Sequence, residues 1–586
     1  MTISNVLRSR FFIAGALFLA AAVVGIVWAV QLMNSIYDYR SPLRYKPPVA
    51  LEPLGHAGSQ RLVIVLVDGL RDDTARDPEL MPYLETLRGE GAWAVMSSRP
   101  LSYSQPGYAT LLVGAWPDIN DGPAINLDLE NIQSFTQDNL FTAVRRQGGR
   151  TAVAANETFR KLIAAPDIND SFFSSEANKT GDDRIYNQVM GWLDAGGQTL
   201  LLVHFSQVDD AGDYLGGPKS EAWMEAANRV DGMIEEIASK LDFSKDALMI
   251  VSDHGQIDVG GHGGPEKLNL TEPFLLVGAG VMPGYWGTMD MVDVAPTAAA
   301  LLGVSIPGTS QGRVLTHMLM LDTAAVSAIT ANEEAQQKQL YSYYTSAIGT
   351  TSTLDEEEAD PVKKYEAGIE RARENRLSVE RMGRFFLILL PVGIAAFFGW
   401  KYRGRRLLEN IGLFVVYAAA FTAVYMLVFQ QVFSLSRVQT EALMITGIAV
   451  STLIGFLAAW GAALYLRKFF AEGLEAIADN TLALAGVFMT ILAVPVGVHF
   501  FLNGTLARWT LPEMNSGFFA LLAMMQIAFL AVSGGLLAGG LALAKREIAR
   551  RNGEVFGDVR RAAPVRKEPG ERPASARKRT GRGGRK

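Results

Sequence analysis

Two kinds of hydrophobic pattern divide the chain. Uncharged apolar runs occur at 11–33, 385–400, 411–429, 442–466, 481–502 and 517–544. A helix rises 1.5 Å per residue, so about 20 such residues cross a hydrocarbon core of about 30 Å. The pattern therefore predicts six membrane spans. Residues 34–322 differ: short apolar runs alternate with polar segments, and none is long enough to span. Three of these runs, RLVIVLVDGLRDD, LLLVHFSQVDD and LMIVSDHG, are continuously apolar before they end in acids, as buried parallel strands are. Segments between them, such as 81–90 and 220–240, carry helical periodicity and read as crossover helices. The expected architecture is α/β: a central sheet flanked by helices at 34–322, an N-terminal transmembrane anchor at 11–33, a helical linker at 323–384 and a C-terminal five-helix transmembrane region at 385–544. The charged stretch 355–384 reads as too polar on every side to pack a core alone.

Charge orients this arrangement. Arg8 and Arg10 precede the first run, basic residues cluster at 401–406 and at Arg467 and Lys468, and residues 545–586 hold 15 Lys and Arg against 5 Asp and Glu. Positive residues mark the cytoplasmic side. Both termini are then expected in the cytoplasm, with the large domain extracytoplasmic. The tail 545–586 reads as disordered and attracted to anionic lipid. The whole chain of 586 residues is 49% hydrophobic with a net charge of −6, which argues against nucleic acid as a partner. With no cysteine, disulfides, thiolate metal sites and cysteine nucleophiles are excluded. Pro391 and Pro495 fall inside expected spans, where membrane helices tolerate proline. His499 is read as an interfacial residue near a span end or as a functional one.

The chemistry gathers at strand ends. Ligands of open α/β sheets collect at the carboxyl edge, so Asp68, Asp209 and the pair Asp253-His254 should converge although they lie far apart in sequence. His262 follows in GGHGG, putting two of the six histidines in one loop. Carboxylate and imidazole together bind divalent metals, and several acids on one rim without a cation would repel one another. In SYSQPGYATLL, a serine before Pro-Gly at a helix start reads either as a nucleophile facing a helix N-terminus or as a plain N-cap.

Taken together, these blocks resemble the alkaline phosphatase superfamily, in particular nucleotide pyrophosphatase/phosphodiesterases and the ethanolamine-phosphate transferases of glycolipid-anchor synthesis. The resemblance spans about 61–315. It implies that Asp68 lies on the first metal-bearing strand, that Ser104, two residues before Pro106, is the nucleophile, and that Asn126 holds a phosphoryl oxygen. VDDAGDYLGG is similar to the family's Asp-x-x-Gly-His block, with Asp213 where histidine is usual. SDHGQIDVGGHGG supplies Asp253, His254 and His262, and the fifth block, DVAPTAAALLG, reads as structural. The implied cofactors are two divalent ions, one on Asp68, Asp253, His254 and Ser104, the other on Asp209, Asp213 and His262. Zinc is expected, with manganese or magnesium the alternatives where the oxygen of Asp213 replaces a nitrogen.

The activity implied is a two-metal phosphotransferase or phosphodiesterase working through a phosphoryl-serine on a phosphodiester, with a lipid or lipid-linked glycan as the expected substrate because the site is tied to membrane helices. Two alternatives stay open: a pyrophosphatase-type hydrolase of soluble substrates, and a membrane scaffold or transporter with a vestigial site.

Overall fold

A computed structural model describes residues 10–55, 57–401, 405–438, 440–467 and 473–561. The expectations placed on Arg8, on Arg403 and Lys468, and on the tail from 562 onward lie outside the described residues.

The central sheet has eight strands: β1 (Arg61–Val67), β2 (Ala92–Ser97), β3 (Thr151–Asn156), β4 (Asp170–Ser174), β5 (Leu200–Phe205), β6 (Asp246–Val251), β7 (Thr271–Gly278) and β8 (Gly284–Asp290). Their order is β4-β3-β5-β1-β6-β7-β2-β8. All neighbours pair in parallel except β7, which runs antiparallel to both β6 and β2. The sheet is thus mixed, with the acid-tipped strands β5, β1 and β6 side by side at its parallel centre.

Those strands are apolar throughout because both of their faces are covered. In β1, Leu62, Ile64 and Leu66 enter one hydrophobic core, and Val63, Val65 and Val67 enter the other, following the two-residue alternation of a strand. The first core lies under helices that include Ser104–Val113 and Val294–Leu302, and the second under helices that include Lys179–Ala195 and Glu221–Ser239. With both faces sealed, polar chemistry is confined to the strand ends. The fifth motif block forms the wholly buried helix Val294–Leu302.

The linker region departs from its expected character. It forms the helices Thr323–Ile348 and Pro361–Lys401, and the second is not polar on every side. Val362, Tyr365, Ile369, Ala372 and Leu377 are buried at helical spacing, and Ile369 and Ala372 join the sheet's first core beside Leu340, Tyr344 and Ile348. A stripe this narrow is masked in sequence by the charges around it. An ion pair between Arg373 and Asp118 adds a second tie to the α/β domain.

Among the described residues, five helices are long and apolar enough to cross a membrane: Ile13–Tyr37, Leu407–Val428, Glu441–Arg467, Leu474–Asn503 and Met514–Arg551. The run expected as a further span, 385–400, is the last part of the helix Pro361–Lys401 and is not among the five. Pro495 lies within the helix Leu474–Asn503. His499, near that helix's end, is fully buried, with Nδ1 3.2 Å from Asn503 Nδ2. The last helix continues to Arg561, so residues 545–561 are helical where disorder was expected. Alternating charge supports them: Glu547 pairs with Arg550 and Arg551 one turn on, and Lys545 pairs with Glu475 of the preceding helix.

Candidate active site

Three neighbouring strand ends build the site. β1 passes directly into Asp68, β6 passes through Ser252 into Asp253 and His254, and β5 leads into the helix Gln207–Tyr214, which carries Asp209 and, one turn later, Asp213. Asp68 is followed by Gly69 at φ +70°, where a side chain would strike Asp209 Oδ1 at 2.9 Å. Only glycine lets the first strand turn away this close to a second acid, and its amide donates to Asp253 Oδ1 at 3.1 Å.

His254 Nε2 sits at the centre of the group, 3.2 Å from Ser104 Oγ, 3.3 Å from Asp68 Oδ1, 3.4 Å from Asp253 Oδ2 and 4.0 Å from Asp209 Oδ1. His262 stacks on it with ring centroids 3.9 Å apart, and its Nε2 lies 3.6 Å from Asp213 Oδ2 and 3.8 Å from Asp209 Oδ1. The two rings are anchored alike. Nδ1 of His254 faces the Gly255 carbonyl at 3.0 Å, and Nδ1 of His262 faces the Ser102 carbonyl at 3.1 Å. A carbonyl can only accept, so Nδ1 carries the proton and Nε2 is left for a metal.

Ser104 opens the helix Ser104–Val113 as its first residue; the N-cap is Tyr103, whose own side chain makes no capping hydrogen bond. The plain N-cap reading of Ser104 therefore does not hold. Asn126 Oδ1 accepts from the Gln105 amide at 2.9 Å, which sets Asn126 beside the first turn of the same helix. Ser102, the neighbouring hydroxyl, is buried and engaged with Gly263 N and Gly264 O. The sequence-read residues Asp68, Ser104, Asn126, Asp209, Asp213, Asp253, His254 and His262 thus lie in one contiguous cluster.

Two residue groups were not anticipated. His204, fully buried in β5, and Tyr108, one turn beyond Ser104, both contact Asp68 Oδ2, the imidazole at 3.2 Å, and they lie 3.0 Å from each other. They fix one carboxylate oxygen, while Asp68 Oδ1 and Asp253 Oδ2 are buried with no hydrogen-bond partner. The sequence signal was His204 as the lone polar residue in β5; its meaning comes from the register, in which Leu66 pairs with His204 and Asp68 continues the same face. The second unanticipated group is Gln256, whose amide donates to Asp209 Oδ1 at 2.5 Å.

Electrostatics follow from this crowding. Burial pushes Asp253 well above the usual carboxylate range, with Asp68 and Asp209 adding to the rise. Burial and the charges of Asp213 and Asp68 raise Asp209 to about 7. For Asp68, burial is outweighed by the hydrogen bond with His204 and by the adjacent His254 imidazole, which hold it well below that range. Burial would lower His254, but Asp68 and Asp209 raise it to about 9. His262 is also raised, Asp213 and Asp209 outweighing burial and the neighbouring imidazole. Two groups have the geometry to hold a cation: Asp68, Asp253 and His254, and Asp209, His254 and His262. Buried carboxylate oxygens without hydrogen-bond partners, facing imidazole Nε2 atoms, suit divalent ions. The second group differs from the expected one in that His254 falls in both, while Asp213 stands beside it on His262.

Comparison with known proteins places this geometry in context. Residues 130–373 match the family model described as type I phosphodiesterase / nucleotide pyrophosphatase. The resemblance read from the motifs holds. The match takes in Asp209, Asp213, Asp253, His254 and His262 and begins after Ser104. Over 298 residues the chain is 26% identical to the catalytic subunit of human GPI ethanolamine phosphate transferase 2, covering 46% of this chain and 30% of that protein. Over 389 residues it is 23% identical to GPI ethanolamine phosphate transferase 2 of Aspergillus fumigatus, covering 60% and 49%. The chain therefore spans half or less of the length of these two relatives. Among solved structures, it is similar to murine ectonucleotide pyrophosphatase / phosphodiesterase 5, with 12% identity, 42% of this chain and 96% of that one covered, and a TM-score of 0.34.

Two outcomes test the site. Folded His254 and Asp209 hold protons more tightly than the ordinary values of 6.5 and 3.8, so the stability they contribute is present at low pH and is lost as pH rises through about 7 and then about 9. The melting temperature of chelator-treated protein should therefore fall between pH 6.5 and 9, and a saturating divalent cation should remove the fall; a flat profile under chelation would contradict the assignment. Replacing His204 with alanine should weaken divalent-ion binding roughly 10- to 100-fold, as loss of a partner behind a ligand typically does, read by calorimetric titration of full-length protein.

Proposed function

We propose that this protein is a membrane-anchored phosphotransferase or phosphodiesterase that forms a phosphoryl-serine on Ser104 and acts on a phosphodiester borne by a lipid or lipid-linked glycan, in the manner of a phosphoethanolamine transferase. The observation that carries the lipid part is one apolar cluster. Leu101 and Tyr103, just before Ser104, and Ala124 and Ile125, just before Asn126, pack with Leu32, Ile36 and Tyr39 of the anchor region and with Phe421, Tyr425, Ile448, Phe518 and Leu522 of the C-terminal bundle. Both segments that would hold the reacting phosphorus are seated on membrane helices, where a lipid headgroup arrives without leaving the bilayer. The similarity to GPI ethanolamine phosphate transferases supports the same reading.

In this reading Asp68, Asp253, His254 and Ser104 Oγ hold one divalent ion, and Asp209, Asp213 and His262 hold the other, zinc or, around the oxygen-rich Asp213 side, manganese or magnesium. Bound ions supply positive charge that makes a hydroxyl nucleophilic at neutral pH and offsets charge on the phosphoryl oxygens. The chain's own residues do the rest. Ser104 Oγ, deprotonated, forms a bond to phosphorus as the bond to the leaving oxygen breaks in line. The helix N-terminus behind Ser104 faces the transferring group with its partial positive charge. Asn126, whose Oδ1 is engaged by the Gln105 amide, offers Nδ2 to a phosphoryl oxygen. Tyr108 and His204 keep Asp68 in one orientation. An acceptor hydroxyl then attacks the phosphoryl-serine and regenerates Ser104. If water took its place, the outcome would be hydrolysis, the activity of the soluble-substrate alternative.

Six spans, both termini in the cytoplasm, an extracytoplasmic catalytic domain at 34–322 and a basic tail meeting anionic lipid complete the proposal. Ser104→Ala should reduce turnover by on the order of 10³-fold or more while leaving the content of bound divalent ions intact. In vesicles with headgroup-labelled phosphatidylethanolamine, mass spectrometry should find the label on Ser104 of the wild type. Label on Ser102, or turnover that persists in the variant, would remove Ser104 as the nucleophile. Reaction with soluble nucleotide diesters in preference to lipid would favour the hydrolase.

A further inference from the structure

His262 sits between Gly260-Gly261 and Gly263-Gly264. A run of glycines has no intrinsic rigidity, and ordering it costs more backbone entropy than ordering any other sequence, so something outside the loop must hold the imidazole in place. One support is Ser102, whose carbonyl receives Nδ1. Ser102 Oγ also accepts from Gly263 N and donates to the Gly264 carbonyl, and Ile257 N donates to the Gly261 carbonyl. The membrane bundle adds a second set of contacts.

The connection between the helix ending near Val428 and the helix Glu441–Arg467 passes over this loop. Arg437 Nη1 donates to the Gly260 carbonyl at 3.2 Å. Gly261, at φ +102°, lies so close to Ser436 that an added Cβ would be 2.0 Å from its carbonyl oxygen. Glu266, two residues past the last glycine, accepts from both Ser434 Oγ and Ser436 Oγ, and Asn269 Nδ2 donates to Ser436 Oγ at 2.8 Å and to Glu266 Oε2 at 3.2 Å. Ser434, Ser436 and Asn269 are buried and Glu266 is half-buried, so most of this polar network lies inside the protein. The same connection reaches the nucleophile turn, where the Tyr103 hydroxyl donates to the Leu435 carbonyl at 3.4 Å.

The other half of the centre needs no such support. Asp68 and Asp253 follow directly on β1 and β6, two adjacent strands buried in the sheet, with His254 next to Asp253. The asymmetry has a chemical consequence. From the two-cation reading above, on which this inference rests, we propose that Ser434, Ser436 and Glu266 are positioning residues for the cation site of Asp209, Asp213 and His262, so that this site is completed by the membrane bundle while the site of Asp68, Asp253 and His254 is completed by the sheet. The bundle is then part of the catalytic apparatus and not only its anchor.

The test uses the full chain in nanodiscs, stripped with chelator and titrated with Zn²⁺, with bound metal counted by mass spectrometry. Wild type should take up two ions. Glu266→Gln and Ser434→Ala/Ser436→Ala should keep one ion at unchanged affinity and bind the other about 10- to 100-fold more weakly. Their turnover should fall at low zinc and recover toward the wild-type kcat at high zinc, and Ser434→Thr/Ser436→Thr should restore tight binding. The retained ion certifies that the sheet is folded, and should the double variant fail to fold, Glu266→Gln decides alone. Two ions at wild-type affinity in the variants, or parallel weakening of both, would overturn the proposal. A wild type that binds fewer than two ions would instead overturn the two-cation reading itself.

Discussion

Four aspartates and two imidazoles meet at one largely buried edge of a sheet, and that concentration of charge governs the rest of the structure. Carboxylates this close cannot all ionise in a buried setting without a cation among them. In the ion-free arrangement the strain is spread over protons: Asp253 and Asp209 are pushed up, and His254 is held charged at its Nε2 between Asp68 and Asp253. The same Nε2 lies 3.2 Å from Ser104 Oγ. A divalent ion bound among these residues would exchange protons for metal, which would tie metal affinity to pH.

The second constraint is the bilayer. A sheet with both faces covered can present chemistry only at its strand ends, and in this protein that edge is turned toward the membrane helices. The apolar cluster around Leu101, Tyr103, Ala124 and Ile125 joins the nucleophile turn to the anchor and the bundle. The helix Pro361–Lys401 adds a continuous strut from the first core of the sheet toward the bundle. A phosphodiester on a lipid could reach Ser104 with its chains still in the bilayer, and the same packing would hold a headgroup against the helix N-terminus. The polar network at Ser434, Ser436 and Glu266 carries the coupling down to single hydrogen bonds.

Strand chemistry was legible in the sequence because burial on two faces leaves an unmistakable mark: five or six apolar residues followed by an acid at or just past the strand end. RLVIVLVD and LMIVSDHG therefore gave the β1 and β6 ends, with Asp68, Asp253 and His254 on them, directly. Pairing order was not legible, since the antiparallel β7 has the same apolar texture as its parallel neighbours. His204 was visible as an anomaly in β5, but its importance depends on register with β1, which only the folded sheet supplies. The buried stripe of the helix Pro361–Lys401 was hidden by the charges between its members, and the helical extension to Arg561 was hidden by the tail's high net charge. Nothing in SLSR at 434–437 distinguishes it from any polar connection between two membrane helices. Its contact with the His262 loop joins residues about 170 positions apart, and that is a property of docking, not of composition.

The position of the metal is the most direct measure of the whole account. Anomalous scattering at the zinc edge from crystals of the zinc-loaded full chain should give two peaks flanking Ser104 Oγ, one among Asp68, Asp253 and His254 and the other among Asp209, Asp213 and His262. A map with no zinc in this cluster, or with a single ion held away from Ser104, would contradict it.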